Sequence, residues 1–437
     1  MNKLFTRILA AMLAVLCLVA LVACGSNVGT AGETQPEVKG DEPDLTPSLN
    51  VATINDQLTW EKLNSFPLKR SDMTIDEARQ LCVDYFAFYK TALWTPNVDV
   101  DFIKNSSGSD DTMERGYIYG GLPYIGLGSG TLYRLMDYMD EETGVVDVKR
   151  ALKLETNEGV VSMANMKYFG NQCANGAFGG WGRVINTITS IATASMTEAR
   201  GCIRLGDYEY DQEKWSETAR TTAVLEANGR QRIYECYALL QPGDGLVYYT
   251  SAGHVIMCSE AAVVVRNDDN TINEDESYIY IIDQGQSWET ATNAYGDNYR
   301  YKDNNGKKKS FKDLFDTNYV PFTFKEWLGT DPIEDTVCSF SLSDGKITWS
   351  QLMASTVTSN YAVSDIYAIV TNENGEEVYR HVTRSAGSGY KTLDFLESGI
   401  ATDHWGTLES GTWNLEIVAQ LITGERPTVY IGQLVVE

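Results

Sequence analysis

The stretch "NQCANGAFGGWGRV", Asn171 to Val184, decides how the rest of the chain is read. It sets a cysteine ahead of small residues and follows it with Gly176, Gly179, Gly180 and Gly182. Each glycine costs about 1 kcal/mol against alanine in a helix interior, so helix propensity alone does not ask for them. A cysteine in the first turn of a helix has a use for such neighbours. Unpaired N–H groups and the helix dipole favour negative charge there and draw the thiol toward the nucleophilic thiolate. Ala174, Asn175 and Gly176 leave room for a carbonyl above the sulfur, and the amides that follow can face an oxyanion. Val184, Ile188 and Ile191 recur at helical spacing, which predicts a helix running on beneath a sheet, with the glycines permitting close backbone approach.

A thiolate needs a base, and the base needs an orienting group. The chain has 3 histidines. His381 and His404 fall in a late segment of short strands, each without a cysteine or second histidine nearby in sequence, and read as surface or turn residues. His254 opens a strand in "GHVIMC", after "LLQPGDGLVYYT" has placed a Pro-Gly-Asp turn before the preceding strand. "YIYIIDQ" returns as a third strand and ends in Asp283 and Gln284. Alternate strand residues face one side, so only one of the two can point at His254. Asp283 closes an apolar run where a carboxylate is out of place unless used.

Taken in order, "NQCANGAF", "LLQPGDGLVYY", "GHV" and "YIIDQ" resemble the CHAP and NlpC-type cysteine amidohydrolases, a branch of the papain-like superfamily. The likeness covers Tyr117 to about Gln284. It implies an α+β, papain-like core in which a helix-borne cysteine packs on an antiparallel sheet. It also implies Cys173 as nucleophile, His254 as base and Asp283 as orienter, with Gln172, Gln284 and Tyr124 at the substrate. The stretch "YIYGGLPY" is similar to one preceding the cysteine in NlpC-type domains and brings Tyr124 or Tyr117 toward the cleft. The reaction implied is cleavage of amide or peptide bonds, in peptidoglycan peptides, without a metal or cofactor. The sequence departs from the family in Ala-Asn-Gly after the cysteine, in the segment Met196–Gln231, and in the long turn before "YIYIIDQ".

The N-terminus joins Lys3 and Arg7 to an apolar run, Ile8 to Ala23, that closes on "LVAC". A basic start, an apolar core and small residues mark an export signal. Cys24 at its end resembles the bacterial lipoprotein pattern, which implies cleavage before it, acylation there and a membrane partner through the lipid. Residues 24–59 read as a flexible tether, 60–332 as the cysteine hydrolase domain and 333–437 as a β-sandwich. With 35 basic against 60 acidic residues the net charge is −25, which disfavours nucleic acid.

Elsewhere the chain supplies scaffold. "TIDEARQLCVDYFAFYKTALWTP" opens on Thr74 and Glu77 at capping-box spacing and predicts a helix with Leu81, Tyr85, Phe88 and Ala92 on one face, ending at Pro96. Gly126, Gly128 and Gly130 fit no phosphate-loop spacing and read as a surface loop near a cleft. Cys82 and Cys258, in apolar segments, read as buried thiols. The adjacent Asp268, Asp269 and Asn270 form a solvated turn, since a calcium loop needs alternating ligands. Turns at Asn374-Gly375 and near Gly424 predict hairpins of a sandwich that resembles immunoglobulin-like modules of bacterial surface proteins, a second region for a surface partner. Two other readings share these residues: a transglutaminase-like acyl transferase, and a surface-binding lipoprotein that does no chemistry.

Overall fold

The computed structural model describes residues 57–101, 112–126, 128–152, 168–188, 201–209, 220–250, 252–293, 296–303, 306–385, 389–396 and 401–437. The export signal, Cys24 and Ile191 lie outside the described residues. Among those described, no helix is long and apolar enough to cross a membrane. The fold is α+β.

Thr74 and Glu77 form the expected capping box and start α1 (Ile75–Phe88), which buries Leu81, Cys82, Tyr85 and Phe86. The helix stops short of Pro96, and Ala92 is not on it. A 3₁₀ turn, Tyr89–Thr91, leads into a strand, Leu93–Pro96, whose residues are all buried. Pairing with Tyr119–Gly120, and a 2.6 Å bond from the Trp94 indole to the Gly121 carbonyl, outweigh continued helix. Proline sits without conflict at the strand's end, where its missing N–H is not called on.

A later helix, α2 (Cys173–Trp181), is buried along its whole length. It ends at Gly182, so the run expected through Val184 and Ile188 is not helical; those two side chains are buried beyond the helix end. The glycines mark the places where other chain segments touch it. A Cβ on Gly180 would stand 2.7 Å from the Cys82 carbonyl of α1 and 2.9 Å from the Met257 methyl. One on Gly176 would stand 2.9 Å from Gln284 Cβ, and one on Gly182 2.7 Å from Ile422 Cγ1. The Gly128–Gly130 loop is likewise buried, contrary to a surface reading: Cβ atoms there would meet the Gly170 and Phe169 carbonyls at 2.5 Å.

Beside α2 lies an antiparallel sheet of β1 (Cys202–Arg204), β2 (Gly245–Tyr249), β3 (Gly253–Cys258), β4 (Tyr278–Ile282), β5 (Lys307–Ser310) and β6 (Val320–Phe324), in the order β5-β4-β3-β2-β6-β1. A helix, α3 (Arg230–Tyr237), precedes the β2–β3 hairpin. Between Cys258 and β4 the chain pairs through isolated bridges at Val263 and Arg266.

The C-terminal region is a sandwich of a six-stranded and a three-stranded sheet with its own core, including Ile366, Ala368, Leu415, Ile417 and Leu434. Gly375 and Gly424 turn its hairpins with φ of +82° and +93°, the left-handed backbone glycine adopts freely. Buried ion pairs fasten it to the first domain. Arg134 Nε meets Asp365 at 2.9 Å, Arg384 bridges Asp137 at 2.9 Å and Asp365 at 3.2 Å, and all four side chains are buried. Tyr361, Ala362 and Ile422 join the apolar core of the first domain.

The sequence reading of His381 and His404 as isolated needs correcting. The two stand directly opposite each other on neighbouring antiparallel strands, a pairing that sequence separation conceals. Burial, then the facing His404, pushes His381 down to about 4, against an ordinary 6.5, with Asp403 opposing. A histidine held neutral by the fold stabilises it above the unfolded value and loses that stabilisation as pH falls from 6.5 through about 4. Thermal melts of wild type are therefore expected to drop across that window, and those of His381→Gln to drop less; parallel curves would refute the assignment. The glycine contacts are testable in the same way. Gly180→Ala gains about 1 kcal/mol of helix propensity but overpacks a backbone carbonyl at about 1–3 kcal/mol, so denaturation should show net destabilisation.

Candidate active site

The hairpin that carries His254 is set by its leading turn. Gly243 adopts φ of +81° and its amide bonds the Cys258 carbonyl at 2.7 Å. Asp244 receives the Gln241 amide at 2.8 Å, Arg79 of α1 at 2.9 Å and the Thr323 hydroxyl at 2.6 Å. The aspartate of the Pro-Gly-Asp turn thus ties the hairpin to α1 and β6, a part that motif reading did not disclose.

His254 Nε2 lies 2.6 Å from Asp283 Oδ2, the first residue beyond β4. Extending the β3–β4 register, Met257 to Ile282, places Asp283 opposite Ile256 and so on the His254 face. Gln284 falls on the other face: its Nε2 donates to the Leu122 carbonyl at 2.8 Å and its Cβ rests on Gly176. The alternation expected of the pair resolves in favour of Asp283.

Cys173 is the first residue of α2, and its thiol interacts with the His254 imidazole and with the amides of Val255 and Ala174. With Nε2 on Asp283, Nδ1 is the ring nitrogen left for sulfur. Burial by itself raises a thiol pKa; here the imidazolium charge, its hydrogen bond and the two amides outweigh it, and Cys173 falls below the ordinary value. Burial by itself would lower His254, yet the sulfur's charge and the Asp283 bond raise it to about 10. Both shifts run in the direction of a thiolate–imidazolium pair. Burial dominates at Cys82, Cys202 and Cys258 and pushes all three upward, as expected of Cys82 and Cys258.

The remaining candidates sit unequally. Gln172 occupies the N-cap of α2 in extended backbone, with its carbonyl accepting from the Gly176 amide at 2.8 Å. Tyr124 is half-buried and bridges through its backbone to Asn171, beside the entry to α2. Tyr117 is exposed, with the Arg300 guanidinium 4.3 Å over its ring, and is not gathered with the Cys173–His254 pair. Asn175, read as a small neighbour of the sulfur, bonds the Gly128 carbonyl through its side chain. A cavity lined by Tyr85, Tyr89, Arg134, Asn175 and Phe178 opens on another side of α2, between the domains. Arg134 is committed there to Asp365 and the Ser129, Ser364 and Ser385 carbonyls, so the cavity is a gap in packing.

No protein-family model matches the chain, and no curated protein matches it. Among solved structures, the extracellular domain of BT4673 from B. thetaiotaomicron aligns at 9% identity and a TM-score of 0.13, over 42% of this chain and 28% of that one. The overlap spans under a third of that domain, and at this score no common fold follows.

The ion pair predicts its own pH profile. The thiolate persists below the usual thiol range because Cys173 is lowered, and the imidazolium is lost only as pH rises through about 10. Alkylation of Cys173 by iodoacetamide, followed by peptide mass spectrometry, is expected to stay fast at pH 6. In Asp283→Ala the hydrogen bond that raises His254 is gone, so the alkaline fall in alkylation by iodoacetate, an anion drawn by the imidazolium, should move to lower pH. An unmoved profile would mean that Asp283 does not act on His254.

Proposed function

We propose that the chain is an extracytoplasmic, lipid-anchored cysteine hydrolase with a papain-like core, acting on amide or peptide bonds through an acyl-enzyme. The observation that carries this is the contact of one imidazole with both the Cys173 thiol and, at 2.6 Å, the Asp283 carboxylate. The thiolate attacks the amide carbonyl carbon, and the first-turn amides of α2 face the oxygen that gains charge. The His254 imidazolium gives its proton to the leaving amine, the C–N bond breaks and a thioester remains. Water then attacks, giving its proton to the neutral imidazole, and the thiolate leaves. Asp283 holds the ring in the orientation both steps need.

Peptidoglycan peptides are the proposed substrate. Support for them comes from the motif likeness at "NQCANGAF", "PGDG", "GHV" and "YIIDQ", joined to the export signal and Cys24. The sandwich, fixed to the domain through Arg134 and Arg384, presents a second surface to the same environment.

Digestion of purified cell wall with wild type and Cys173→Ser, read by fragment masses, tests the proposal. Wild type is expected to release peptides, and the variant to lose on the order of a thousandfold or more. Intact wall with both proteins would refute the substrate. Incorporation of an added primary amine in place of water would make the enzyme an acyl transferase.

A further inference from the structure

His254 is held by Asp283 at Nε2 and interacts with the Cys173 thiol, contacts that say nothing of its ring face. The strand register supplies what stands beside it. Tyr248 of β2 is directly opposite His254 on β3, and the two rings lie 6.2 Å apart at 48°. Since Val320 pairs with Val247, the residue before β6, Tyr319, falls opposite Tyr248. Their rings meet edge to face at 5.2 Å and 83°. Tyr319 is buried, its carbonyl receives the Tyr237 hydroxyl from α3, and Lys309 of β5 lies 6.0 Å over its ring. His254, Tyr248 and Tyr319 therefore form one row across three adjacent chain segments, and Asp283, diagonal to it beyond the end of β4, meets the His254 ring from the other side.

We propose that Tyr248, backed by Tyr319, is a positioning residue that fixes the His254 ring and favours its protonated state; this rests on the acyl-enzyme reading given above. An aromatic face attracts a cation and excludes water from one side of it. The edge-to-face contact with Tyr319 in turn limits where the Tyr248 ring can move. The groups that set the charge here are Cys173, Asp283, Lys309 and the two phenols. Burial first, then the negative charge at Asp283, raises the Tyr319 hydroxyl. The ring is the part of Tyr248 that stands beside His254, and phenylalanine keeps it.

The test is the pH profile of Cys173 alkylation by iodoacetate, an anion drawn by the imidazolium, in the full chain, compared among wild type, Tyr248→Phe and Tyr248→Leu. Tyr248→Phe is expected to follow wild type. Tyr248→Leu should react roughly three- to tenfold more slowly at pH 6, with the alkaline end displaced to lower pH. A Leu variant that superimposes on wild type, or that loses rate equally at every pH, overturns the proposal. Should Tyr248→Leu not fold, Tyr248→Met and Tyr319→Leu carry the same expectation and the same refutation. A wild-type Cys173 no faster than the buried thiols would instead remove the acyl-enzyme reading, and this inference with it.

Discussion

The closeness of α2 to its neighbours is the constraint on which the site depends. Gly176 and Gly180 let the helix lie against Gln284 and Met257 of the sheet region and the Cys82 carbonyl of α1 with no side chain between. A single methylene at either contact would push the helix away from β3 and with it the sulfur from the imidazole. Hydrogen-bond chemistry tolerates displacements of a few tenths of an ångström only, so the glycines are the positional tolerance of the Cys173 sulfur expressed in sequence. The propensity given up along α2 is what that closeness requires.

The sandwich contributes to the same constraint from the far end of the helix. Ile422 closes on Gly182, Tyr361 donates to the Val184 carbonyl, and the Arg134–Asp365–Arg384 cluster seals the boundary. Buried ion pairs add little net stability over apolar packing, but removing one partner leaves a charge stranded, which costs about 3–5 kcal/mol. Such a boundary holds one arrangement of the two domains in preference to others. The C-terminal domain is accordingly part of the scaffold of α2, whatever else its outer surface meets.

How much of this was legible in sequence depends on the range of the interaction. The capping box at Thr74, the turns at Gly375 and Gly424, and the strand beginning at His254 follow from neighbours in the chain, and each stands where its residues put it. The choice between Asp283 and Gln284 was framed by alternation but needed the β3–β4 register to settle it. What stayed hidden is cross-strand or cross-domain: His381 opposite His404, Tyr319 opposite Tyr248, and Asp244 reaching Arg79. The helix end at Gly182 belongs to the same class, because the periodic Val184 and Ile188 are apolar for burial's sake and not for continuing α2.

A lowered thiol pKa runs against the overall charge of this molecule. A chain with net charge −25 surrounds any anion with a repulsive field, yet that field comes chiefly from exposed carboxylates screened within about 8–10 Å by salt. Cys173 feels instead the imidazolium in direct contact and two amides, at a distance where screening is weak and the surroundings are poorly polarisable. Burial strengthens those contacts as it weakens the link to solvent, which is why the same burial that disables Cys82 leaves Cys173 ionisable. Local pairing decides the chemistry here, and the acidic exterior governs only what approaches.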